Sequence, residues 1–447
     1  MPQPIDLIIN ARWVIPVTPD RPTLNHYSVA VHAGEIIEVL PTVDASQKYA
    51  GANVEDLGQH VLIPGFVNTH THAAMTLFRG WADDMPLRQW LSEYIWPAET
   101  RWISAEFVRA GTDLAVAEMI RGGTTCFNDM YFFPDVVAQA ANRAGIRASI
   151  GLILIDFPTA WAEQPSEYLE KGLRLHDEVK NLELVSATFA PHAPYTVSDE
   201  PLTKLRVLAD ELDIPIHMHV HETEHEIEES MTRYGVRPLE RLSQLGLLTN
   251  RLIAVHMTQL LSQEIEAVAN SGVNVVHCPE SNLKLASGLC PVTELLGAQV
   301  NVTLGTDGAA SNNDLDMLGE LRTAALLAKG VSGDPTALPA HTALEMATLN
   351  GAKALGLEHQ IGSIEVGKQA DLVAVDLNQL DTQPVYHALT QLVYSASRSD
   401  ITHVWVHGRK LLTDRHLLTM DQNSVSSAAA AWAKKIGAHR HGSPSLN

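Results

Sequence analysis

The chain has 447 residues, about the length of a 250-residue barrel plus an accessory domain. Hydrophobic residues make up 45% and charged residues 19%, with 28 Gly and 23 Pro, which excludes collagen-like, disordered and disulfide-scaffold classes. Against 31 basic residues stand 52 acidic ones, a formal charge of -21, so nucleic acid is excluded as a partner because its phosphate backbone needs a basic surface.

The N-terminal MPQPIDLIINARWVIPV has no apolar run ending in a small-residue cleavage site and reads as mature structure. Residues 1–62 read as short strands: DLIINARWVIPV, SVAVHAGEIIEVL and HVLIPGFVNTH alternate or run apolar, with Gly, Pro and Asn between them. From about residue 104 the pattern becomes helical. SAEFVRAGTDLAVAEMIRGG, PDVVAQAANRAG, EPLTKLRVLADELD, RPLERLSQLG and SQEIEAVANSG carry apolar residues at three-to-four spacing and mostly end near Gly. Compact apolar strands alternate with them: TTCFNDM, IRASIGLILI, LVSATFAPH, PIHMHVHE, LIAVHMT, VNVVHCP and VNVTLGTDG. Strand, loop and helix repeated about eight times predict a (β/α)8 barrel, an α/β fold whose strands are continuously apolar because helices cover the outer face. The barrel is expected over 63–364. THVWVHGRKLLT then returns to β character, so 1–62 and 365–425 are expected to form one discontinuous β-sandwich domain, followed by a C-terminal helix and tail over 426–447. No run of 18 apolar residues predicts a membrane span. Cys126, Cys278 and Cys290 are odd in number and widely spaced, which argues against a disulfide framework and for a reducing, cytoplasmic setting.

In a parallel barrel the chemistry sits at the C-terminal strand ends, and here those ends are rich in histidine. PGFVNTHTH places His70 and His72 on one side of a strand, where two imidazoles bind one ion. Later strands end in His192, His219, His256, His277 and Asp307. A lone His at such a place is ordinarily a hydrogen-bonded rim residue, but a set of them at successive ends of one sheet points to a metal centre. PIHMHVHETEHE offers two readings. By strand parity His217, His219 and His221 share a face; alternatively HETEH is a zincin motif, with His221 and His225 one helical turn apart and Glu222 as base. The preceding β-like IPIHMHV favours the strand, and the zincin reading leaves His70, His72 and Asp307 without a role.

Together PGFVNTHTH, APHAPYTVS, HMHVHETEHE, AVHMT, VVHCPESNLKLASG, GTDGAASNNDLDM and GSIEVGKQADLV resemble the amidohydrolase superfamily. More narrowly they resemble its 5'-methylthioadenosine/S-adenosylhomocysteine deaminase branch, close to the triazine chlorohydrolases. The likeness runs from about Asp6 to about residue 415. It implies that His70, His72, His219 and Asp307 hold one divalent ion, zinc first and iron second. LVSATFAPHAPY lacks the lysine that two-metal members carbamylate, so a single ion is expected.

The resemblance further implies hydrolytic deamination of an adenine 6-amino group. Glu222 would move a proton from water to the ring, Asp307 would take the second proton to the departing amine, and His256 would orient the nucleophile. Glu99 in WLSEYIWPAET would bind the ribose hydroxyls, with Glu93 as its competitor, and His192 would contact the nucleoside. Trp81, Trp90, Tyr94 and Trp96 either cover an apolar substituent or pack within their own loop. His277, Ser281, Asn282 and Lys284 either line the pocket or support the metal ligands. Gly151 to Glu170 contains no Arg to clamp an amino acid carboxylate, which favours 5'-methylthioadenosine over S-adenosylhomocysteine, unless Arg147 or Arg174 reaches over. The expected partner is thus a small nucleoside, with a homo-oligomer suggested by the aromatic loops. The rival is a deaminase or chlorohydrolase acting on another ring, such as guanine, an oxidised purine, a pterin or a triazine; a catalytically silent scaffold is disfavoured by the intact polar set.

Overall fold

The structure is a computed structural model and describes residues 5–18, 22–49 and 53–438. Four strands open the chain: β1 (Leu7–Val14), β2 (Leu24–His32), β3 (Glu35–Pro41) and β4 (Asn53–Pro64). The next eight are β5 (Phe66–Thr71), β6 (Thr124–Asp129), β7 (Arg147–Leu154), β8 (Val185–Pro191), β9 (Ile216–Val220), β10 (Leu252–His256), β11 (Asn274–His277) and β12 (Asn301–Leu304). They pair in sequence order, each parallel to the next. Asp307 N–H to His70 O (3.0 Å) and Thr69 Oγ1 to Leu304 O (2.7 Å) bring the last strand back to the first. Every residue of β5, β6, β7 and β9 to β11 is buried, as two-sided covering requires.

The predicted helices fall into place with their caps. Ala105–Arg121 starts at Ser104, whose hydroxyl accepts the Phe107 N–H at 3.2 Å, and Pro134–Ala144 stops at Gly145 with φ 77°. The long segment after β5 is largely helical: a 3-10 turn, Ala73–Phe78, then a run through Trp102 with a π-helical turn at Trp90–Ile95.

After the barrel come β13 (Leu372–Asp376), β14 (Ile401–Val406), β15 (Arg409–Thr413) and β16 (His416–Leu417). With β1 to β4 they make one mixed eight-stranded sheet, ordered β16-β15-β14-β13-β4-β1-β2-β3. Strand alternation gives it two faces. One buries Leu7, Ile9, Val31, Leu62, Leu372 and Trp405 as a core of its own, while Val61, Ile63, Val373 and Val375 join the barrel's core. The junction also carries a buried ion pair, Arg147 Nε to Asp371 Oδ2 at 3.0 Å. The C-terminal helix spans Gln422–Gly437; the rest of the expected tail, 439–447, lies outside the described residues. Among the described residues no helix is long and apolar enough to cross a membrane.

Candidate metal centre and active-site cleft

The C-terminal strand ends converge on one point. Ligand atoms of His70, His72 and His219 lie within 4.8 Å of one another, as do those of His70, His256 and Asp307. His219 Nε2 stands 3.2 Å from His70 Nε2, and Asp307 Oδ1 is 3.4 Å from the Nε2 atoms of both His70 and His72. Two glycines make this approach possible. A Cβ on Gly305 would sit 2.8 Å from the His70 backbone N, and one on Gly308 would be 3.1 Å from the His72 Cβ.

The hydrogen bonds behind the rings set their tautomers. His72 Nδ1 is 2.5 Å from Met130 O and His219 Nδ1 is 2.7 Å from His192 O. Carbonyls only accept, so both Nδ1 atoms carry the proton and both Nε2 atoms present lone pairs to the common point. His70 Nδ1 meets His217 Nε2 at 2.9 Å, which leaves its own Nε2 free to do the same. Burial pushes His70 down to about 4, and burial followed by neighbouring histidines holds His217 and His219 well below the ordinary value, so the rings are neutral. Burial works to raise the Asp307 carboxyl, but its imidazole neighbours, His70 first and then His72 and His256, outweigh it and hold it well below its usual range, so it is a carboxylate. Neutral lone pairs and a carboxylate crowded together repel one another unless a cation lies between them. This donor set fits a divalent ion.

Several strained residues lie around that point. His221, His256, Met257 and Asp307 all have left-handed backbones (φ 54°, 77°, 50° and 64°). Because β9 ends at Val220, strand parity does not extend to His221. It turns away, accepts the Leu239 N–H at 3.1 Å, and leaves only His217 and His219 on the shared face. The helix begins at Glu224, so HETEH straddles a turn and His225 is exposed on the surface, which removes the zincin arrangement.

Glu222 is buried; burial, then Asp307, pushes it up to about 8. Its Oε1 lies 3.8 Å from His256 Nε2. His256 Nδ1 donates to Asn282 Oδ1 at 2.9 Å, so its Nε2 is a lone pair. Ser281 Oγ donates to Asp307 Oδ2 at 2.7 Å. Ser281 and Asn282 therefore support Asp307 and His256, whereas Lys284 pairs with Asp83 at 2.6 Å. Glu226 accepts the N–H groups of His221 (2.9 Å) and Glu222 (2.7 Å) and so braces the turn that carries Glu222. No sequence motif marked that role.

Glu99 receives the Tyr131 hydroxyl at 2.7 Å, and burial pushes it up to about 7 against that bond. Tyr131 follows Met130, the residue that fixes His72, so a two-residue link ties Glu99 to the metal centre. Glu93 is exposed and takes a hydrogen bond from Gln89 at 3.0 Å. His192 Nδ1 is 3.0 Å from Thr196 Oγ1, and burial drops it to about 3.

A cavity of about 900 Å³ opens beside this site; Glu222, Leu91, Trp96, Phe157 and Leu285 are among its lining residues. Of the four aromatics in the first long loop only Trp96 is in that lining, while Trp90 is buried and bonds Ala82 O at 3.0 Å. Arg147 sits at the opposite end of the barrel and Arg174 pairs on the surface with Glu170 at 2.9 Å, so neither reaches over. Two other arginines do line the cavity: Arg88, and Arg233 from the helix after Glu222.

The amidohydrolase family model matches residues 61–411. A 5-methylthioadenosine/S-adenosylhomocysteine deaminase of Teredinibacter turnerae is 50% identical over 98% of this chain and 99% of its own length. A 5'-deoxyadenosine deaminase of Methanosarcina acetivorans is 42% identical over 96% and 98%. The crystal structure of an adenosine deaminase from Xanthomonas campestris with bound zinc is 53% identical, with a TM-score of 0.96 over 98% of this chain and 100% of that one. The chain belongs to the amidohydrolase family, in the branch it shares with the 5-methylthioadenosine/S-adenosylhomocysteine deaminases.

Proposed function

We propose that the chain hydrolyses the 6-amino group of adenosine analogues, 5'-methylthioadenosine first and S-adenosylhomocysteine second, to the inosine analogue and ammonia, using one zinc ion. The observation that carries this reading is the convergence of bare imidazole Nε2 atoms and the Asp307 carboxylate beside a buried, proton-holding Glu222 at a cavity that admits a nucleoside. The names of the relatives and the zinc in the Xanthomonas campestris structure support it.

His70, His72, His219 and Asp307 are the residues that would hold the ion. Such an ion lowers the pKa of a bound water to about 7 and so supplies the nucleophile at neutral pH. The rest falls to the chain. Glu222, which holds a proton near neutral pH, delivers it to the ring nitrogen beside the attacked carbon and takes in its place a proton from the attacking water, a transfer suited to a carboxyl whose pKa lies near neutrality. The His256 Nε2 lone pair, held by Asn282, orients the nucleophile. Asp307, fixed by Ser281, takes the second proton to the amine, which leaves as ammonia. Glu99, oriented by Tyr131, accepts the ribose hydroxyls, and His192 presents its Nε2 to the nucleoside.

Metal-loaded protein given 5'-methylthioadenosine, S-adenosylhomocysteine, adenosine, guanine and a triazine in parallel tests the reading. Ammonia release with the ultraviolet change from adenine to hypoxanthine, strongest on the thio-nucleoside, is the expected result. Turnover of guanine or the triazine alone would overturn the substrate assignment and leave the metal site standing.

A further inference from the structure

A second cavity, about 320 Å³, lies away from the metal centre. Arg121 ends the helix Ala105–Arg121, and Gly122 and Gly123 lead from it into the first residue of β6, so this cavity is at the N-terminal end of the barrel. Three parts of the molecule meet there: that barrel helix, Arg398, Arg415 and Leu417 of the composite-sheet region, and Gln422, Val425 and Ser426 of the C-terminal helix.

Three guanidiniums, those of Arg121, Arg398 and Arg415, line one small space in a protein with 52 acidic residues against 31 basic ones. The one carboxylate in the lining, Glu118, is already engaged by Arg79, by Arg398 at 3.2 Å and by the Leu315 N–H at 3.2 Å. Arg398 is further paired with Asp314 at 3.3 Å. Arg415 spends one nitrogen on the Arg398 and Ile401 carbonyls at 2.6 and 2.9 Å. Arg121 is different: its Nε is buried with no hydrogen-bond partner, and among the described residues no carboxylate pairs with it. Its place in the last helical turn gives it only the carbonyl end of the helix for compensation. Burial, then the Arg121 charge, with Arg398 adding to them, pulls the Arg415 guanidinium below its ordinary value against the opposing pull of Asp400. Buried donors are normally satisfied, and an uncompensated buried charge is costly unless an anion pairs with it.

We propose that this cavity is a binding site for a phosphate group, held by Arg121 and Arg415 across the junction of barrel, sheet region and C-terminal helix. The guanidinium fork matches phosphate oxygens bidentately. The apolar part of the lining, Leu114, Ala117, Leu417 and Val425, leaves room for more than a bare oxyanion. The group is thus either free inorganic phosphate or the phosphate of a nucleotide. The site is independent of the deaminase reading, since it shares no residue with the cleft.

Calorimetric titration of the full chain with inorganic phosphate and, separately, with uridine monophosphate, at matched ionic strength, tests the proposal. A pyrimidine is used so that an adenine pocket does not contribute. Saturable binding of either probe, weakened about tenfold or more in R121Q, is the expected result, and the tighter probe identifies the source. Thermal melting gives a second readout. In chloride buffer R121Q should melt at or above wild type, because it removes one of three like charges, and it should lose the extra stabilisation that phosphate gives wild type. Absence of saturable binding to wild type, or equal responses from wild type and R121Q, would overturn it.

Discussion

At the N-terminal end of β7, Arg147 and Asp371 bury a complete ion pair, with Arg147 Nη2 at 3.1 Å from the second carboxylate oxygen and the His407 N–H closing the shell at 2.8 Å. At and above the C-terminal strand ends buried polar groups crowd together without such pairing in charge: lone pairs meet lone pairs, burial raises the Glu222 and Glu99 carboxyls above the ordinary range, and four residues sit in left-handed backbone. The difference shows how one barrel divides its labour. The Arg147–Asp371 pair fastens the lower end of the barrel to the composite sheet, and the unpaired polarity at the upper end suits an ion and a substrate. Substituting one residue at each end should separate the two. E222Q should lower kcat by about a thousandfold while metal content and melting temperature hold. R147A strands Asp371 and should cost about 3–5 kcal/mol of stability with kcat unchanged in the protein that remains folded. If R147A abolished turnover without loss of stability, or E222Q unfolded the chain, the division would be wrong.

The next test lies within the upper end itself. His219 and His225 are six residues apart in sequence, yet one is buried at the common point and the other is exposed. H219A should lose the bound ion, seen by elemental analysis after gel filtration, and with it nearly all activity. H225A should keep both within about twofold, as surface substitutions ordinarily do. Metal loss in H225A would return the zincin arrangement.

Much of this upper end was readable in the chain. The HxH of PGFVNTHTH and the run of polar strand ends followed from period-two geometry and from barrels placing their chemistry at one face. Parity failed at His221 because strand length is decided by tertiary packing, and β9 stops one residue earlier. Asn282 was among the candidates to support the metal ligands, but the pairings themselves were hidden by distance along the chain. Tyr131 meets Glu99 across 32 residues, and Asn282 meets His256 across 26, so no local pattern announces either. The absence of Arg from Gly151 to Glu170 was read correctly as composition, but it did not describe the cavity, because Arg88 and Arg233 arrive from other segments.

Glu99 gives a smaller effect with a defined sign. Its ordinary pKa of 4.5 rises to about 7 on folding because of burial. The folded chain therefore holds a proton that the unfolded chain releases, so this group's contribution to stability is present below 4.5 and is lost as pH rises through about 7. Binding runs the other way, since the ionised carboxylate is the better acceptor for two ribose hydroxyls. KM for 5'-methylthioadenosine should rise as pH falls through about 7 with kcat less affected, and E99Q should flatten that dependence while raising KM about tenfold. A pH-independent KM in wild type would remove Glu99 from the ribose.

The smallest expected effect concerns the cavity rim, whose charged residues would act on the part in which the two thio-nucleosides differ. S-adenosylhomocysteine differs from 5'-methylthioadenosine by an ammonium and a carboxylate. The lining offers both complements: Arg88 and Arg233 for the carboxylate, and Asp156, Glu224 and Glu229 for the ammonium. Arg88 and Arg233 are exposed, so water and salt screen their charges and each is worth little. R233Q should therefore lower kcat/KM for S-adenosylhomocysteine by only about two- to fivefold, leave 5'-methylthioadenosine unchanged, and lose its effect at high salt. R88Q should behave alike, and the double variant should depart from additivity if the two act on one carboxylate, because they then share a partner. Equal loss on both substrates would mean that Arg233 holds the helix behind Glu222 in place, through its contact with the Tyr195 carbonyl, and that discrimination lies deeper, around Trp96 and Phe157.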